Sequence, residues 1–120
     1  GRNIKRIRNI IRENESFMAI QSHAFLPDPS DFELPEEKAL LTAFQKLYET
    51  IQEAEKTLNY EGAMDQLVAL KEPLEDFFAR VMVNVEDDQL RRRRVALLAY
   101  GFNTIESIID FSHLSLEKPS

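Results

Sequence analysis

Apolar residues that recur at steps of three and four positions constrain the fold of this chain more than any other feature. This is the spacing of a helix that buries one face, and it extends over most of the sequence. The three glycines and five prolines are concentrated at the ends of the apolar segments, which favours helices over a many-turned β fold. We therefore predict an all-α fold, a helical bundle of about five helices, with residues 1–120 forming a single domain.

The helix boundaries follow from the apolar stripes and from the prolines between them. The first four predicted helices cover residues 2–13, 35–58, 61–70 and 73–81, and a last helix follows residues 86–88 and ends at about residue 112. The fourth opens at Pro73, because a proline inside a helix removes a backbone hydrogen bond. Residues 15–34 are predicted to form a loop that lies back on the body, with one short helical turn near residues 16–23. The tail from residue 116 is predicted to be loose.

Several single positions carry more specific expectations. Asp87 is the expected N-cap of the last helix, since a short carboxylate there accepts from free backbone N–H groups. Gly101 lies inside the apolar stripe of that helix, which predicts the close approach of another helix. Met82, Val83 and Val85 alternate with a polar residue and indicate a short extended link. The buried stripe of the second helix is predicted to be Leu40, Phe44, Leu47, Tyr48, Ile51, Ala54 and Leu58.

Charge is unevenly distributed along the chain. The net charge of −6 argues against a protein that binds nucleic acid through its bulk charge. Residues 1–12 nevertheless hold five positive charges and no negative one, and residues 91–94 are all arginine. Because cysteine is absent, neither a disulfide nor a thiolate metal site is possible, and we expect a cytoplasmic protein. No apolar run approaches ~18 residues, so no membrane span is expected.

The basic residues of the first helix fall opposite its isoleucines. Two interpretations are open: a solvated surface face, or a face that contacts phosphates, whose oxygens match guanidinium forks. A membrane-surface role is disfavoured because the apolar face lacks aromatic anchors. The candidate RNA-contacting residues of this helix are Lys5, Arg6, Arg8, Asn9 and Arg12.

The arginine run is spread around its helix, because successive residues are rotated by about 100°. Arg92 and Arg93 are predicted to point outward and are secondary candidates for RNA contact. Arg94 falls near the centre of the apolar stripe and is predicted to pair with Asp76, Glu86 or Asp87. Arg91 lies at the border of the stripe, where a structural and an RNA-binding role are equally open.

Signatures of catalysis are missing from the sequence, and no catalytic residue is assigned. His23 and His113 stand in separate segments without metal-ligand spacing. Neither a glycine-rich phosphate loop nor a nucleophile elbow is present. Tyr100 and Asn103 on the last helix could stack on or hydrogen-bond to a base, and they suit an ordinary helix surface equally well.

The residues Asp88, Gln89, Leu90 and Arg91 resemble the Asp-Ala-Leu-Arg signature of the DALR anticodon-binding domains of aminoacyl-tRNA synthetases, with glutamine in place of alanine. The surrounding stretch is similar to the C-terminal end of the β subunit of bacterial glycyl-tRNA synthetases. The positions that match this family are Leu70, Pro73, Leu74, Phe77, Phe78, Val81, Met82, Val83, Glu86, Asp87, Leu90, Arg91, Arg94, Val95, Leu97 and Leu98. Further matches occur at Lys5, Arg6, Asn9, Ile10, Pro35, Glu37 and Leu40, and again at Asp110, Phe111, Ser112 and Leu114.

This resemblance implies an all-α, non-catalytic domain that recognises the anticodon end of glycine tRNA. It implies a fragment from the C-terminal end of a longer chain, with Asp87, Asp88, Leu90, Arg91 and Arg94 as its structural motif. The implied partners are tRNA, the remainder of the β chain, and the α subunit or an α-like region where catalysis takes place. No cofactor is implied for this domain, whereas ATP and Mg belong to the parent enzyme.

Two alternative interpretations of the sequence remain open. The DALR domain of arginyl-tRNA synthetases shares the architecture, although the Val-Met-Val link and the Asp-Phe-Ser ending favour glycine. The other alternative is a helical subunit-docking module that does not contact RNA, which the acidic net charge and the apolar 15–34 segment support.

Overall fold

The computed structural model describes residues 2–18, 30 and 32–117, with backbone only for Arg2 and for residues 110–117. These residues form helices and connecting turns and contain no strand, which confirms the predicted all-α class. Of the six helices, α2 is a single turn. The helices are α1 (Arg2–Glu13), α2 (Glu15–Met18), α3 (Pro35–Thr57), α4 (Glu61–Ala69), α5 (Lys71–Arg80) and α6 (Asp88–Glu117).

Most predicted boundaries agree with the structure to within a few residues, and two do not. Helix α5 begins at Lys71, two residues before the predicted start at Pro73. Proline is tolerated there because the N–H groups of the first helical turn have no partner inside the helix. Helix α6 continues to Glu117, past the predicted end at residue 112, so residues 116 and 117 are helical. The short turn expected near residues 16–23 appears as α2, and its remaining positions, like 118–120 of the tail, lie outside the described residues.

The core lies between α3 and the helices around it. Helix α3 packs against α4, α5 and α6, while α1 packs against α5 and α6. The long aromatic and aliphatic side chains at the centre are completely or almost completely buried. They include Ile7, Leu40, Leu41, Phe44, Leu47, Phe77, Leu97, Leu98 and Ile105. Ile7 and Ile10 of α1 are buried and Ile4 and Ile11 half-buried, so the isoleucine face predicted for this helix is confirmed.

The predicted buried stripe of α3 is wrong at two positions. Tyr48 is 45% exposed, although its ring lies 6.4 Å from that of Tyr100. Leu58 is 78% exposed, because it follows the last helical residue in a left-handed conformation with φ of 57° and is carried away from the stripe. Glu37 and Leu41 are buried on α3 instead.

Gly101 allows α6 to cross α3 closely, as its place in the apolar stripe predicts. A Cβ atom at this position would lie only 2.2 Å from Cζ of Phe44. The Phe44 ring is fully buried, and it meets the Tyr100 ring edge-on at a centroid distance of 6.5 Å. Glycine is therefore required at position 101 by the space that the Phe44 ring occupies.

Candidate nucleic-acid interface

The outer face of α1 presents a group of cationic and amide side chains to solvent. All five candidates on this helix are exposed: Lys5, Arg6, Arg8, Asn9 and Arg12. Within the described ranges the only ion pair closer than 4 Å joins Arg94 to Glu37, so none of these cations is paired with a carboxylate there. We call this set the α1 basic face. Its charges are available to an external anion.

Two arginines at the edges of the α1 basic face rest on aromatic rings. The guanidinium carbon of Arg6 lies 4.4 Å from the centroid of the Phe78 ring on α5. That of Arg8 lies 5.9 Å from the centroid of Phe102 on α6, near the outer limit of a cation–π contact. Such contacts orient a guanidinium without neutralising it, so both groups keep their N–H donors for a ligand.

Arg94 is buried and structural, as predicted, but its partner differs from the three proposed. Its Nε lies 3.1 Å from Oε2 of Glu37, and its Nη1 donates to the carbonyl of Met82 at 2.5 Å. Only 7% of Arg94 and 1% of Glu37 are exposed. Pairing with Asp76, Glu86 or Asp87 is therefore wrong. The sequence did contain a signal, because Glu37 lies one helical turn before Leu40 and Leu41 and so falls on the same buried face.

Arg91 is tied to a buried asparagine at the end of α1. Its Nε donates to Oδ1 of Asn14 at 2.7 Å, and its guanidinium carbon lies 4.1 Å from the centroid of the Phe17 ring. Asn14 is fully buried and donates in turn to Oδ1 of Asn84 at 2.9 Å and to the carbonyl of Ile10 at 2.7 Å. The network joins α1, the link between α5 and α6, and the start of α6. Of the two roles left open for Arg91, the contacts support the structural one.

The role of Asn14 could also have been read from the sequence. Asn14 follows Ile7 and Ile10 at spacings of seven and four, so it continues the buried face of α1 by one turn. A polar residue on a buried face needs hydrogen-bond partners, since leaving it unsatisfied costs about 1–3 kcal/mol. The predicted first helix ended at residue 13, so the role of Asn14 was missed.

Arg92 and Arg93 are less exposed than the outward orientation predicted for them implies. Both residues are half-buried. Arg92 lies with its guanidinium carbon 5.3 Å from the centroid of the Phe17 ring, and its Nε is buried with no hydrogen-bond partner among the described residues. Arg93 lines a cavity of about 250 Å³ that Glu33 and Glu37 also line. The two arginines thus face different surfaces, and contact of either with RNA remains a prediction.

The four-residue motif at the start of α6 acts as a helix start. Oδ1 of Asp87 accepts hydrogen bonds from the backbone N–H groups of Gln89 at 3.0 Å and Leu90 at 3.2 Å, which confirms the predicted N-cap. Asp88 is the first helical residue and its carboxylate lies near the positive end of the helix dipole. Arg91 then reaches Asn14, so the motif both begins α6 and connects it to α1.

The described residues contain neither a cluster of metal-ligating side chains nor a membrane-spanning helix. No group of three or more histidine, cysteine, aspartate or glutamate side chains there could hold a metal ion. None of the helices in the described part of the chain is both long and apolar enough to cross a membrane. The side chains of His23 and His113 lie outside the described part of the chain.

Comparison with known proteins finds a family model and relatives that match this chain. Residues 2–112 match the family model of the DALR anticodon binding domain. The chain is 36% identical over 118 residues to the glycine–tRNA ligase beta subunit of Acidobacterium capsulatum, covering 92% of this chain and 16% of that protein. It is 34% identical over 90 residues to the beta subunit from Halothermothrix orenii, covering 75% of this chain and 13% of that protein.

A third relative matches this chain with a similar identity and coverage. The glycine–tRNA ligase beta subunit of Ectopseudomonas mendocina is 36% identical over 111 residues, which cover 92% of this chain and 15% of that protein. The chain therefore spans about a sixth of the length of the curated relatives it matches. No solved structure matches it.

Proposed function

The chain belongs to the DALR anticodon binding domain family, and on that premise we propose that it recognises the anticodon end of tRNA as a non-catalytic domain of a glycine–tRNA ligase beta subunit. One observation of the structure carries the proposal. The α1 basic face is exposed and lacks carboxylate partners among the described residues, although the chain as a whole has a net charge of −6. Cations left unpaired on an acidic body provide a local site for a polyanion.

The chemistry of this face suits RNA. Guanidinium groups bind phosphate oxygens in a bidentate manner, and each neutralised phosphate releases counterions. Lys5 and Arg12 are seven residues apart, which is about two helical turns, so they lie along one line on the surface. Neither is involved in an ion pair or ring contact among the described residues, which leaves both free for phosphates.

The role of the parent protein extends the proposal. We propose that ATP-dependent ligation of glycine to tRNA takes place outside this domain, with ATP and Mg bound elsewhere in the enzyme. The remainder of the beta chain and an alpha subunit or alpha-like region are the proposed protein partners. A cytoplasmic location accords with this role in protein synthesis.

A double charge reversal tests the RNA contact. Lys5→Glu/Arg12→Glu removes two phosphate contacts, so the slope of log K against log salt becomes shallower by about 1.4–1.8. Affinity for glycine tRNA at low salt falls at least tenfold, because the new carboxylates also repel the phosphates. The measurement is a filter-binding titration at several salt concentrations.

The matched control is Lys46→Glu/Lys56→Glu, two exposed lysines on α3. It changes the net charge by the same amount and leaves α1 intact. The proposal expects this control to keep the salt slope of the wild type. Equal losses in both double variants would show that only net charge matters, and unchanged binding in the α1 variant would remove the assignment.

A second function, docking to the remainder of the beta chain, is favoured by an exposed apolar region. Val68 is 74% exposed and Met64 42% exposed on α4. Val68 borders a cavity of about 520 Å³ that Ile4 and Leu74 also line. The proposed occupant is the remaining beta chain, since the relatives are about six times longer than this chain.

Size-exclusion chromatography separates the two functions. Co-elution of this chain with the separately produced remainder of the beta chain, lost in Val68→Asp, supports docking. A shift with tRNA that Val68→Asp leaves unchanged supports RNA recognition. Docking is contradicted if the two pieces elute separately, or if Val68→Asp co-elutes as well as the wild type does.

A further inference from the structure

A cleft opens between α1 and the link that joins α5 to α6, residues 81–87. Its volume is about 380 Å³, which lies within the range of pockets that hold small ligands. We infer that this cleft binds one unpaired nucleobase of the RNA, an inference that rests on the proposed function. The cleft borders the α1 basic face, because Arg6 and Asn9 belong to both.

The cleft offers stacking surfaces for a flat base. Phe78 is half-buried and is held edge-on to Phe77 at a centroid distance of 5.5 Å. Arg6 lies over the Phe78 ring at 4.4 Å, so its guanidinium is already oriented before a ligand arrives. Unstacked bases in single-stranded RNA bind on the planes of arginine and aromatic side chains. Arg6 supported by Phe78 is such a surface.

Met82 contributes a second apolar wall from the link. Met82 is 73% exposed, whereas Val81 and Val83, which also line the cleft, are buried. The thioether is flexible and polarisable, and it interacts favourably with aromatic rings. A base that enters the cleft therefore covers an apolar side chain that is otherwise in water.

The rim of the cleft carries groups that match the edge of a base. Asn9 is exposed and forms no hydrogen bond with any described residue, so its amide is free to donate and accept. Among the described residues, Glu13 accepts one long 3.3 Å bond from Asn84, which leaves its other carboxylate oxygen without a donor there. A carboxylate accepts from the exocyclic amino group of a base. The cleft therefore favours cytosine, adenine or guanine over uracil.

The same groups argue against a phosphate as the ligand. Glu13 at the rim repels an anion and offsets the charge of Arg6, and Phe78, Val81 and Met82 give an anion no hydrogen-bonding side chain. We expect phosphates to contact Lys5 and Arg12 instead, which lie along one line on the adjoining α1 basic face. A single helix would then position the RNA by its backbone and read one base beside it, the usual division of labour in nucleic-acid recognition.

The test measures whether the loss of one cleft residue and the loss of one base have non-additive effects on RNA binding. The probe is the anticodon stem-loop of glycine tRNA, made with an abasic site at each loop position in turn. At one position the abasic site weakens binding to the wild type about tenfold, within the range measured for base stacking on proteins. The intact stem-loop binds more weakly to Asn9→Ala and to Met82→Ala than to the wild type. In these variants the same abasic site causes little further loss of affinity.

The matched control is Asn103→Ala, an exposed asparagine on α6 outside the cleft. In this variant every abasic site has the same effect as in the wild type. Glu13→Gln refines the chemistry: replacing the coupled base by uracil weakens wild-type binding more than it weakens binding to Glu13→Gln. Thermal unfolding of each variant verifies that the exposed substitutions leave the fold intact.

The outcomes separate this inference from the proposed function. If the stem-loop binds with a steep salt slope but no abasic position couples to Asn9 or Met82, the base site is refuted and RNA recognition stands. Coupling to Asn103 instead would also refute the site, because it places the base on α6. Absence of any RNA binding overturns both.

Discussion

Replacing Gly101 by alanine tests the packing of α6 on α3 most directly. The added Cβ would lie 2.2, 2.3 and 2.5 Å from three ring carbons of Phe44. Non-bonded carbon atoms prefer separations of about 3.5–4.0 Å, so the ring or the helix must shift by more than about 1 Å. The Phe44 ring is fully buried and packs on Tyr100, which leaves it little room to move.

The chain contains an internal control for this substitution. Gly62 also lies within a helix, but a Cβ there would meet Cγ2 of Thr50 at 3.6 Å, an ordinary contact. Alanine favours a helix over glycine by about 0.8–1 kcal/mol. Gly62→Ala should therefore stabilise the protein by up to about 1 kcal/mol. At Gly101 the same gain is opposed by overpacking that costs about 1–3 kcal/mol, so the net effect is a loss of up to about 2 kcal/mol.

Urea unfolding followed by far-ultraviolet circular dichroism measures both variants. The Phe44→Leu background isolates the cause, because the shorter side chain lacks the ring carbons that a Cβ at Gly101 would meet. In that background Gly101→Ala should become neutral or stabilising, which gives a coupling energy of about 1 kcal/mol or more. If Gly101→Ala stabilises the wild type as much as Gly62→Ala does, the close approach of the two helices is wrong.

Three further predictions concern buried charge, backbone strain and pH. Arg94→Met should cost about 3–5 kcal/mol, because it leaves the buried Glu37 carboxylate without its counter-charge. The double variant Glu37→Gln/Arg94→Met should regain much of that loss in urea unfolding, and no recovery would count against the pair. Leu58→Gly should stabilise by about 0.5–1 kcal/mol, since a left-handed φ of 57° disfavours leucine and the side chain is 78% exposed. A lower urea midpoint for Leu58→Gly would contradict this. Burial is the main cause that raises the pKa of the Tyr100 phenol above its usual 10.0, so the folded state holds that proton more tightly and stability falls as pH rises above about 10. Tyr100→Phe should lose less stability than the wild type over that alkaline range, and parallel losses would exclude Tyr100 as the source.

Features that depend on residues close together along the chain could be predicted from the sequence. The start of α3 at Pro35, the N-cap at Asp87 and the cationic outer face of α1 were all predicted and are observed. Local turn chemistry and helical period suffice for these, because the interacting groups lie within one or two turns of each other. Gly101 belongs here too, since its place in an apolar stripe already indicated a close crossing.

Contacts between groups that are distant along the chain could not be predicted in this way and emerge from the packing of the helices. Arg94 pairs with Glu37, fifty-seven positions away, rather than with the nearer acids. Asn14 meets Asn84 and Arg91, and Phe17 covers Arg92, so one helical wheel could not show which arginines face solvent. The cleft beside Arg6 likewise exists only where α1 crosses the link. The helical period of the sequence predicts which face of a helix is buried. The crossing of two helices determines which residues that face contacts, and this crossing depends on the packing of the whole chain.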